Sequence, residues 1–329
     1  MRRRAFLVSS VSSLAVLAHR SVLAQSSWPT RPVRMLIGYP PGGSTDVTAR
    51  LLAEPLAKRL GQPVVLDNRA GAGGTLAANT VVRAEPDGYT LLFGASAEMT
   101  IAPVTMKAIP YDPLADLQPI TQVGAVPFLL VVNPSVPANT LAEFIAHARA
   151  NPGKLNYSSF GNNTSNHLAG ELFKVLTGTQ TVHVPYKGSG PSITDLLAGQ
   201  VQYTFDTPPA VVEHVRAGKL RALAVSGQQR FPGAPQVPTF AEAGLPDFSG
   251  GTWSGLFAPA KTPRAIVDRM HSDVAALLAS PEMAKAFADR GIVPSASTPD
   301  EFRRLHAGRD REMEGSRRQG GHRRRMRPT

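Results

Sequence analysis

The stretch Val33–Leu60 reads VRMLIGYPPGGSTDVTARLLAEPLAKRL and decides the fold class. Its first five residues form a short apolar run typical of a buried strand, and from Val47 onward the apolar residues recur at helical spacing. Between them lies the turn Tyr39–Asp46, in which two prolines fix the backbone and two glycines allow a ligand to come close. Ser44, Thr45 or Asp46 can cap the helix, whose free N–H groups suit a carboxylate or phosphate. A tight connection without a ligand would account for the turn as well.

Two better-known glycine-rich loops do not match this turn. A nucleotide-binding P-loop needs a lysine directly before its serine or threonine, and Gly43 precedes Ser44 here. The Rossmann pattern Gly-x-Gly-x-x-Gly is present neither in this turn nor in Gly71–Gly74. Both kinds of nucleotide site are therefore disfavoured.

The composition is that of a globular protein long enough for two domains, with 329 residues, 42% hydrophobic and 18% charged. The net charge of +11 is concentrated at the two ends of the chain, where arginines account for nearly all of it. The body is almost balanced, so no nucleic-acid partner is expected. Because the chain has no cysteine, disulfides, thiolate metal sites and cysteine nucleophiles are excluded.

Residues 1–24 are typical of an export signal. A basic start is followed by the apolar segment Ala5–Ala18 and by Val22-Leu23-Ala24, whose small residues place the cleavage point after Ala24. Arg3–Leu7 also fits the twin-arginine pattern, so the Sec and twin-arginine routes both stay open. The mature protein is expected in the periplasm, and an unusual cytoplasmic N-terminus is the alternative.

Strands and helices alternate along the rest of the chain. The patterns predict strands at 63–66, 89–93 and 128–132, a helix at 75–84 and an irregular connection at 103–119. Such alternation predicts an α/β fold whose sheets are covered on both faces, with ligands bound at the carboxyl ends of the strands.

A second strand, loop and helix repeats the physics of the opening stretch. Leu155–Phe160 leads into Gly161–Asn166, and an amphipathic helix carrying Leu168 and Leu172 follows. If the two units face each other across a cleft, two helix N-termini converge on one ligand, which suits a dicarboxylate. Gly250–Phe257 is expected to return the chain to the first unit. We therefore predict one lobe from 25–123 plus 250–314, and a second lobe from 124–249.

Many ordered motifs resemble the Bug-type, TctC-like solute-binding proteins of tripartite tricarboxylate transporters. The resemblance covers roughly Trp28 to Phe302. It includes Tyr-Pro-Pro-Gly-Gly-Ser-Thr-Asp from Tyr39, Asn-Arg-Ala-Gly-Ala-Gly-Gly from Asn68, Pro-Asp-Gly-Tyr-Thr-Leu-Leu from Pro86, Pro-Tyr-Asp-Pro from Pro110, Pro-Gly-Lys-Leu-Asn-Tyr from Pro152, His-Leu-Ala-Gly-Glu-Leu-Phe from His167, His-Val-Pro-Tyr-Lys-Gly from His183, Gly-Lys-Leu-Arg-Ala-Leu-Ala-Val from Gly218 and Val-Pro-Thr from Val237.

The resemblance implies a periplasmic, two-lobed α/β binding protein of type II-like architecture with its ligand cleft between the lobes. It further implies a monomer without cofactor, metal or catalytic activity. Such a protein captures a small carboxylate, which could be a di- or tricarboxylate, an aromatic acid or an acidic amino acid, and delivers it to a membrane permease. A ligand-sensing subunit for a signalling partner is the alternative.

The resemblance also implies where the ligand is held: between Tyr39–Asp46 and Gly161–Thr164, mainly by main-chain amides and ordered waters. Ser96 and Asp206 follow or close strands and are added as cleft residues. His167 is added as well, although a structural hydrogen bond at the start of a helix would explain it equally. The candidate ligand-binding residues are thus Tyr39, Pro41, Gly42, Gly43, Ser44, Thr45, Asp46, Ser96, Gly161, Asn162, Asn163, Thr164, His167 and Asp206.

Two segments depart from the family pattern and leave the ligand open. Asn162-Asn163 stands in a loop that is usually richer in glycine or serine, and Ala95–Glu98 replaces a run usually richer in serine and threonine. From residue 315 the chain is arginine-rich and loses its apolar periodicity, which suggests a shifted reading frame or a degraded terminus. A basic arm for anionic lipid or nucleic acid is the alternative there.

The sequence has no catalytic signature. It contains neither a Gly-x-Ser-x-Gly elbow nor the metal-binding spacing His-Glu-x-x-His. A hydrolase or isomerase is therefore disfavoured.

Overall fold

The opening stretch forms a strand, a turn and a helix. In the computed structural model, which describes residues 28–305 and 307, β1 (Val33–Ile37) is buried except at Arg34, and α1 (Ser44–Leu60) follows the turn. The helix ends at Gly61, which adopts the left-handed conformation that favours glycine. The expectation for this stretch is confirmed except at the cap, because the N-cap is Gly43, which has no side chain to supply a hydrogen bond.

The first sheet has six strands and forms the core of lobe 1. Its order is β11-β4-β10-β3-β1-β2, with β1 parallel to its two neighbours and β10 antiparallel to β3 and β4. The further strands are β2 (Val64–Asn68), β3 (Thr90–Ala95), β4 (Leu117–Pro127), β10 (Gly251–Pro259) and β11 (Val293–Pro294).

Strand β4 differs from the sequence-based expectation, which placed an irregular connection at 103–119. Prolines inside the strand obscure its pattern, since proline cannot donate to a sheet ladder. Pro119 pairs with Phe257 next to a register shift in β10, and such an irregularity accommodates a proline. The strand runs past residue 123 to Pro127, so the sheet of lobe 1 reaches almost to Leu129, where the next strand begins.

The second sheet has five strands and forms the core of lobe 2. Its order is β7-β6-β8-β5-β9, with β6 parallel to β7 and β8, and β5 antiparallel to β8 and β9. The strands are β5 (Leu129–Val132), β6 (Asn156–Ser159), β7 (Val182–Pro185), β8 (Tyr203–Asp206) and β9 (Arg221–Val225).

Helices cover both sheets. Within the described residues they are α2 (Thr75–Val82), α3 (Ala102–Thr105), α4 (Leu141–Ala150), α5 (Ser165–Thr177), α6 (Ser189–Leu197), α7 (Pro208–Arg216), α8 (Arg264–Leu278) and α9 (Pro281–Ala288), with a π turn at Ala97–Ile101, a 3-10 turn at Ala72–Gly74 and a further helical stretch from 299. The predicted elements do not include α7, which begins with Pro208 and Pro209. In the structure they occupy the first turn, where the lost N–H groups have no helical partner to miss.

Each lobe has its own hydrophobic core. Met35, Leu52 and Phe93 belong to the core of lobe 1, whereas Phe173 and Phe205 belong to that of lobe 2. The fold is therefore an α/β architecture of two lobes, as predicted. No helix in the described part of the chain is long and apolar enough to span a membrane. The predicted export signal and the arginine-rich tail lie outside the described residues.

Candidate functional site

The candidate site lies where strands of both sheets end. β1 and β3 are parallel neighbours, so the turn after β1 and Ser96 after β3 share one edge of lobe 1. β6 and β8 are likewise parallel, which brings the loop from Phe160 and residue Thr207 to one edge of lobe 2. In α/β proteins such edges collect the ligand.

The Pro40–Gly43 turn of lobe 1 contacts the start of α6 in lobe 2. A Cβ atom placed on Gly188 would lie 2.5 Å from Cδ of Pro40, and one on Gly190 would lie 3.1 Å from the carbonyl oxygen of Pro41. A Cβ atom on Gly43 would lie 3.4 Å from Cβ of Ser189. The lobes thus touch through glycines, which permit this close approach of the two backbones.

A second contact joins the lobes beside the first. A Cβ atom on Gly73 would lie 3.7 Å from Cγ2 of Thr164 and 3.9 Å from the carbonyl oxygen of Asn162. The two loops singled out from the sequence therefore each face another glycine-rich segment. The sequence shows the glycine runs at Gly71–Gly74 and Gly188–Gly190, but it does not show which segments they pack against.

Four helices that begin in this region have no side-chain cap. The N-caps of α1, α5, α6 and α7 are Gly43, Thr164, Gly188 and Thr207, and none makes a side-chain cap hydrogen bond. Among the other helices, Thr140 caps α4 and Ser280 caps α9 through their side chains, and α2, α3 and α8 have no side-chain cap. In α1, α5 and α6 no cap side chain occupies the N–H groups of the first turn, so these groups are available to an anion. Helix α7 begins with Pro208 and Pro209, which have no N–H, and it does not contribute.

The loop Gly161–Thr164 is held by its own side chains. The buried hydroxyl of Thr164 lies 2.7 Å from the carbonyl oxygen of Gly161 and 2.8 Å from Oδ1 of Asn166, so it turns back into the loop. Nδ2 of Asn166 is buried and has no hydrogen-bond partner among the described residues. Asn162 is exposed at the tip, and Asn163 adopts a positive φ of 61°.

Asp46 holds the Pro40–Gly43 turn from within α1. Its buried carboxylate accepts hydrogen bonds from the N–H of Gly42, Nδ2 of Asn68 and Nε of Arg50, at 2.9, 2.9 and 2.7 Å. Burial opposes ionisation, but these hydrogen bonds outweigh it and lower the pKa of Asp46. The carboxylate resembles the returning half of a capping box and supports the turn itself. Ser44 is buried and Thr45 half-buried in the same first turn.

Tyr39 connects three segments of lobe 1. Its buried hydroxyl lies 2.9 Å from Oε2 of Glu98 and 3.1 Å from the carbonyl oxygen of Gly73. The N–H of Ala95 donates to Oε1 of Glu98 at 2.7 Å, and burial raises the pKa of Glu98 to about 7. Oγ of Ser96 lies 2.8 Å from Oγ1 of Thr252. Thus Tyr39 and Ser96 both make protein contacts that shape the lobe 1 side of the cleft.

We expect Tyr39→Phe to lower the free energy of unfolding by about 2 kcal/mol, because it leaves Oε2 of the buried Glu98 carboxyl without the Tyr39 hydroxyl. Chemical denaturation measures this, with Tyr89→Phe as the matched control, since the Tyr89 hydroxyl contacts the exposed Thr30. Equal stability of Tyr39→Phe and the wild type would contradict the proposed role of the hydroxyl.

Asp206 is wholly buried at the carboxyl end of β8. It accepts hydrogen bonds from Oγ of Ser189 at 2.6 Å and from the N–H of Thr207 at 2.7 Å. Burial raises the pKa of Asp206 to about 7. The side chain therefore positions Ser189, which begins α6 at the contact with lobe 1.

His167 and His183 form a stacked pair below the loop of lobe 2. Their ring centroids are 4.1 Å apart, and Nδ1 of His167 accepts a hydrogen bond from the N–H of Asn163 at 3.1 Å. Nε2 of His183 lies 2.6 Å from Oγ of Ser159. Burial lowers the pKa of both rings, that of His183 to about 4, so both are neutral near pH 7. The geometry gives His167 a supporting role for the loop.

A cavity of about 680 Å³ opens between the lobes next to this loop, and we call it the cleft mouth. Such a volume is within the range of small-molecule sites, roughly 300 to 1,000 Å³. No cluster of three or more histidine or acidic side chains suited to a metal occurs in the described part of the chain. The cleft mouth is lined by Gly71–Gly73 and Met106 of lobe 1, and by Phe160–Asn163, Pro185–Lys187 and Pro191 of lobe 2.

This two-lobed fold, with its cleft at strand ends, is that of the periplasmic binding proteins. The model of the tripartite tricarboxylate transporter family receptors matches residues 48–314, and the chain belongs to this family. It is 42% identical over 282 residues to protein BugT of Bordetella pertussis, covering 85% of this chain and 86% of that protein. The resemblance to Bug-type, TctC-like proteins is thereby confirmed. The family is one of receptors, so the protein is a solute-binding protein and not an enzyme.

Two solved structures extend the likeness to ligand-bound proteins. The R. palustris protein Rpa4515 with adipate has a TM-score of 0.86 and 36% identity, with 89% of this chain and 98% of that chain covered. MatC from Rhodopseudomonas palustris with bound malate has a TM-score of 0.82 and 33% identity, with 88% and 99% covered. Both likenesses extend over nearly the whole of those chains.

Proposed function

We propose that this receptor captures a small carboxylate between its lobes and delivers it to a tripartite tricarboxylate-type membrane permease. The observation that carries the proposal is the set of three helix starts, those of α1, α5 and α6, which come from both lobes and have no side-chain cap. Their N–H groups and positive dipole ends favour anionic ligands. The adipate and malate bound by the two similar proteins are dicarboxylates, which supports this ligand class. Tricarboxylates, aromatic acids and acidic amino acids satisfy the same donors.

In this proposal main-chain N–H groups bind the ligand, and the buried acidic side chains fix the position of that main chain. The amides of Gly43–Thr45 in lobe 1, the loop Gly161–Thr164 and the start of α6 bind the ligand, whereas the N–H of Gly42 donates to Asp46. Asp46 and Asp206 carry no ligand contact of their own, because their carboxylates already accept hydrogen bonds inside their own lobes. Because these two carboxylates do not contact the ligand, they repel an anionic ligand less.

The chain passes between the lobes at two neighbouring points, and the lobes can close about them. The N–H of Phe128 donates to Oγ of Ser226 at 2.8 Å, and this hydroxyl donates to the carbonyl oxygen of Gly250, so the outgoing and returning segments lie side by side. We propose a hinge there, between a lobe of 25–123 plus 250–314 and a lobe of 124–249. A ligand that contacts both lobes shifts the population toward the closed form, which a permease can recognise.

A thermal-shift screen of the mature chain tests the proposal. We expect a carboxylate of the right class, at about a hundred times its Kd, to raise Tm by about 5 °C or more, because it binds the folded state alone. Sulfate at the same ionic strength controls for general anion effects. A shift with sugars or nucleotides, but with no organic acid, would overturn the proposal.

A further inference from the structure

The cleft mouth is mostly uncharged. Main chain of glycine residues and apolar side chains such as Met106 and Phe160 form most of its wall. Of the described residues that line it, Lys187 alone carries a charge. An apolar wall with a single cation fits a ligand that has an apolar body and an anionic end.

The backbone on both sides of Lys187 is fixed. The N–H of Tyr186 donates to the carbonyl oxygen of Ser159 at 2.9 Å, which ties the preceding residue to β6. The following residue, Gly188, packs against Pro40 of lobe 1. The backbone of Lys187 is therefore fixed beside the contact between the lobes.

The ammonium group of Lys187 has no partner within the part of the chain that the structure describes. Its side chain is exposed and makes neither a hydrogen bond nor an ion pair there. The nearby carboxylate of Asp195 accepts a hydrogen bond from the Tyr186 hydroxyl at 2.7 Å instead. An exposed lysine is ordinarily a solvated charge, but the backbone of this one is fixed beside a cavity that no acidic side chain lines.

We propose that Lys187 binds the second carboxylate of a linear dicarboxylic acid and so gives the receptor its preference for diacids over monoacids. This inference rests on the proposed function, in which helix starts hold the first carboxylate. A ligand that reaches from the loop Gly161–Thr164 along the apolar wall ends at the ammonium group. A monoacid of the same length presents a methyl group there and gains nothing from the charge.

The test compares adipate with hexanoate, which have equal chain length, by calorimetry at low ionic strength, where an exposed charge is least screened. For Lys187→Gln we expect the adipate affinity to fall about 10-fold, as for loss of a charged hydrogen bond, and the hexanoate affinity to stay within about twofold. Lys187→Arg keeps the charge and should keep the preference for adipate.

Lys154→Gln is the matched control, because it removes the same charge from an exposed lysine of lobe 2 at the opposite end of β6. It should leave both affinities unchanged. An equal loss for both acids in Lys187→Gln would show that the lysine supports the loop, and no loss for either would show that it does not touch the ligand. Either result overturns the inference alone. A wild-type protein that binds no organic acid would overturn the proposed function with it.

Discussion

Replacing Gly190 with leucine is expected to lower ligand affinity at least about 100-fold, or about 2.7 kcal/mol, while the unliganded protein stays folded. A Cβ atom at this position would lie 3.1 Å from the carbonyl oxygen of Pro41 in the other lobe, so the larger side chain must hold the lobes apart. Within lobe 2 the change is tolerable. Gly190 is in the first turn of α6 and its φ lies outside the left-handed region, and leucine is the better helix former.

Calorimetry with the acid found in the thermal-shift screen measures the effect, and the Tm of the unliganded variant shows that it folds. Thr194→Leu is the matched control, since Thr194 is exposed on the same helix. Wild-type affinity in Gly190→Leu would mean that the bound state does not bring α6 against the Pro40–Gly43 turn.

The second large effect concerns pH. Burial raises the pKa of Glu98 and Asp206 to about 7, whereas their ordinary values are 4.5 and 3.8. The folded protein therefore holds these protons more tightly than the unfolded chain does. Their stabilising contribution is fully present below about pH 4 and is lost as pH rises through about 7. As pH rises from about 5 to about 8.5, deprotonation of each group should lower the free energy of unfolding by on the order of 3 kcal/mol.

The double variant Glu98→Gln, Asp206→Asn isolates this contribution. Both amides imitate the protonated acids and can keep the hydrogen bonds to Tyr39 and Ser189 by donating to their hydroxyls. His167 and His183 titrate in both proteins, so the difference in unfolding free energy between wild type and variant reports the two carboxyls. Denaturant unfolding should show the wild type losing stability relative to the variant as pH rises. A constant difference across this range would contradict the raised pKa values.

Much of the fold follows from local sequence. The strand, the turn and the helix of Val33–Leu60 could be predicted, because apolar spacing and the Pro-Pro-Gly-Gly run act within one short segment. The error at β4 and the omission of α7 both concern prolines whose fit depends on their structural context. Pro119 fits β4 only because β10 is irregular opposite it, and Pro208 fits α7 because it stands in the first turn.

For the site, too, local features could be predicted from the sequence, whereas contacts between distant segments could not. That glycines and helix starts form the cleft could be expected from composition and capping rules. That Gly188 lies against Pro40, and Gly73 against Thr164, depends on how two separately folded lobes meet, and no local pattern encodes it. The burial that raises the pKa of Asp206 likewise comes from packing around the strand end.

The three helix starts without side-chain caps also affect the stability of the receptor. A good N-cap side chain is worth roughly 0.5 to 2 kcal/mol relative to alanine and a few tenths relative to glycine, so α1, α5 and α6, which lack one, give up some stability in the unliganded state. A bound acid supplies the missing acceptor from outside, and in doing so it stabilises the lobes as well as joining them. The unliganded receptor is then less stable than its hydrophobic cores alone would make it. Its resistance to heat or proteolysis therefore reports whether a ligand is bound.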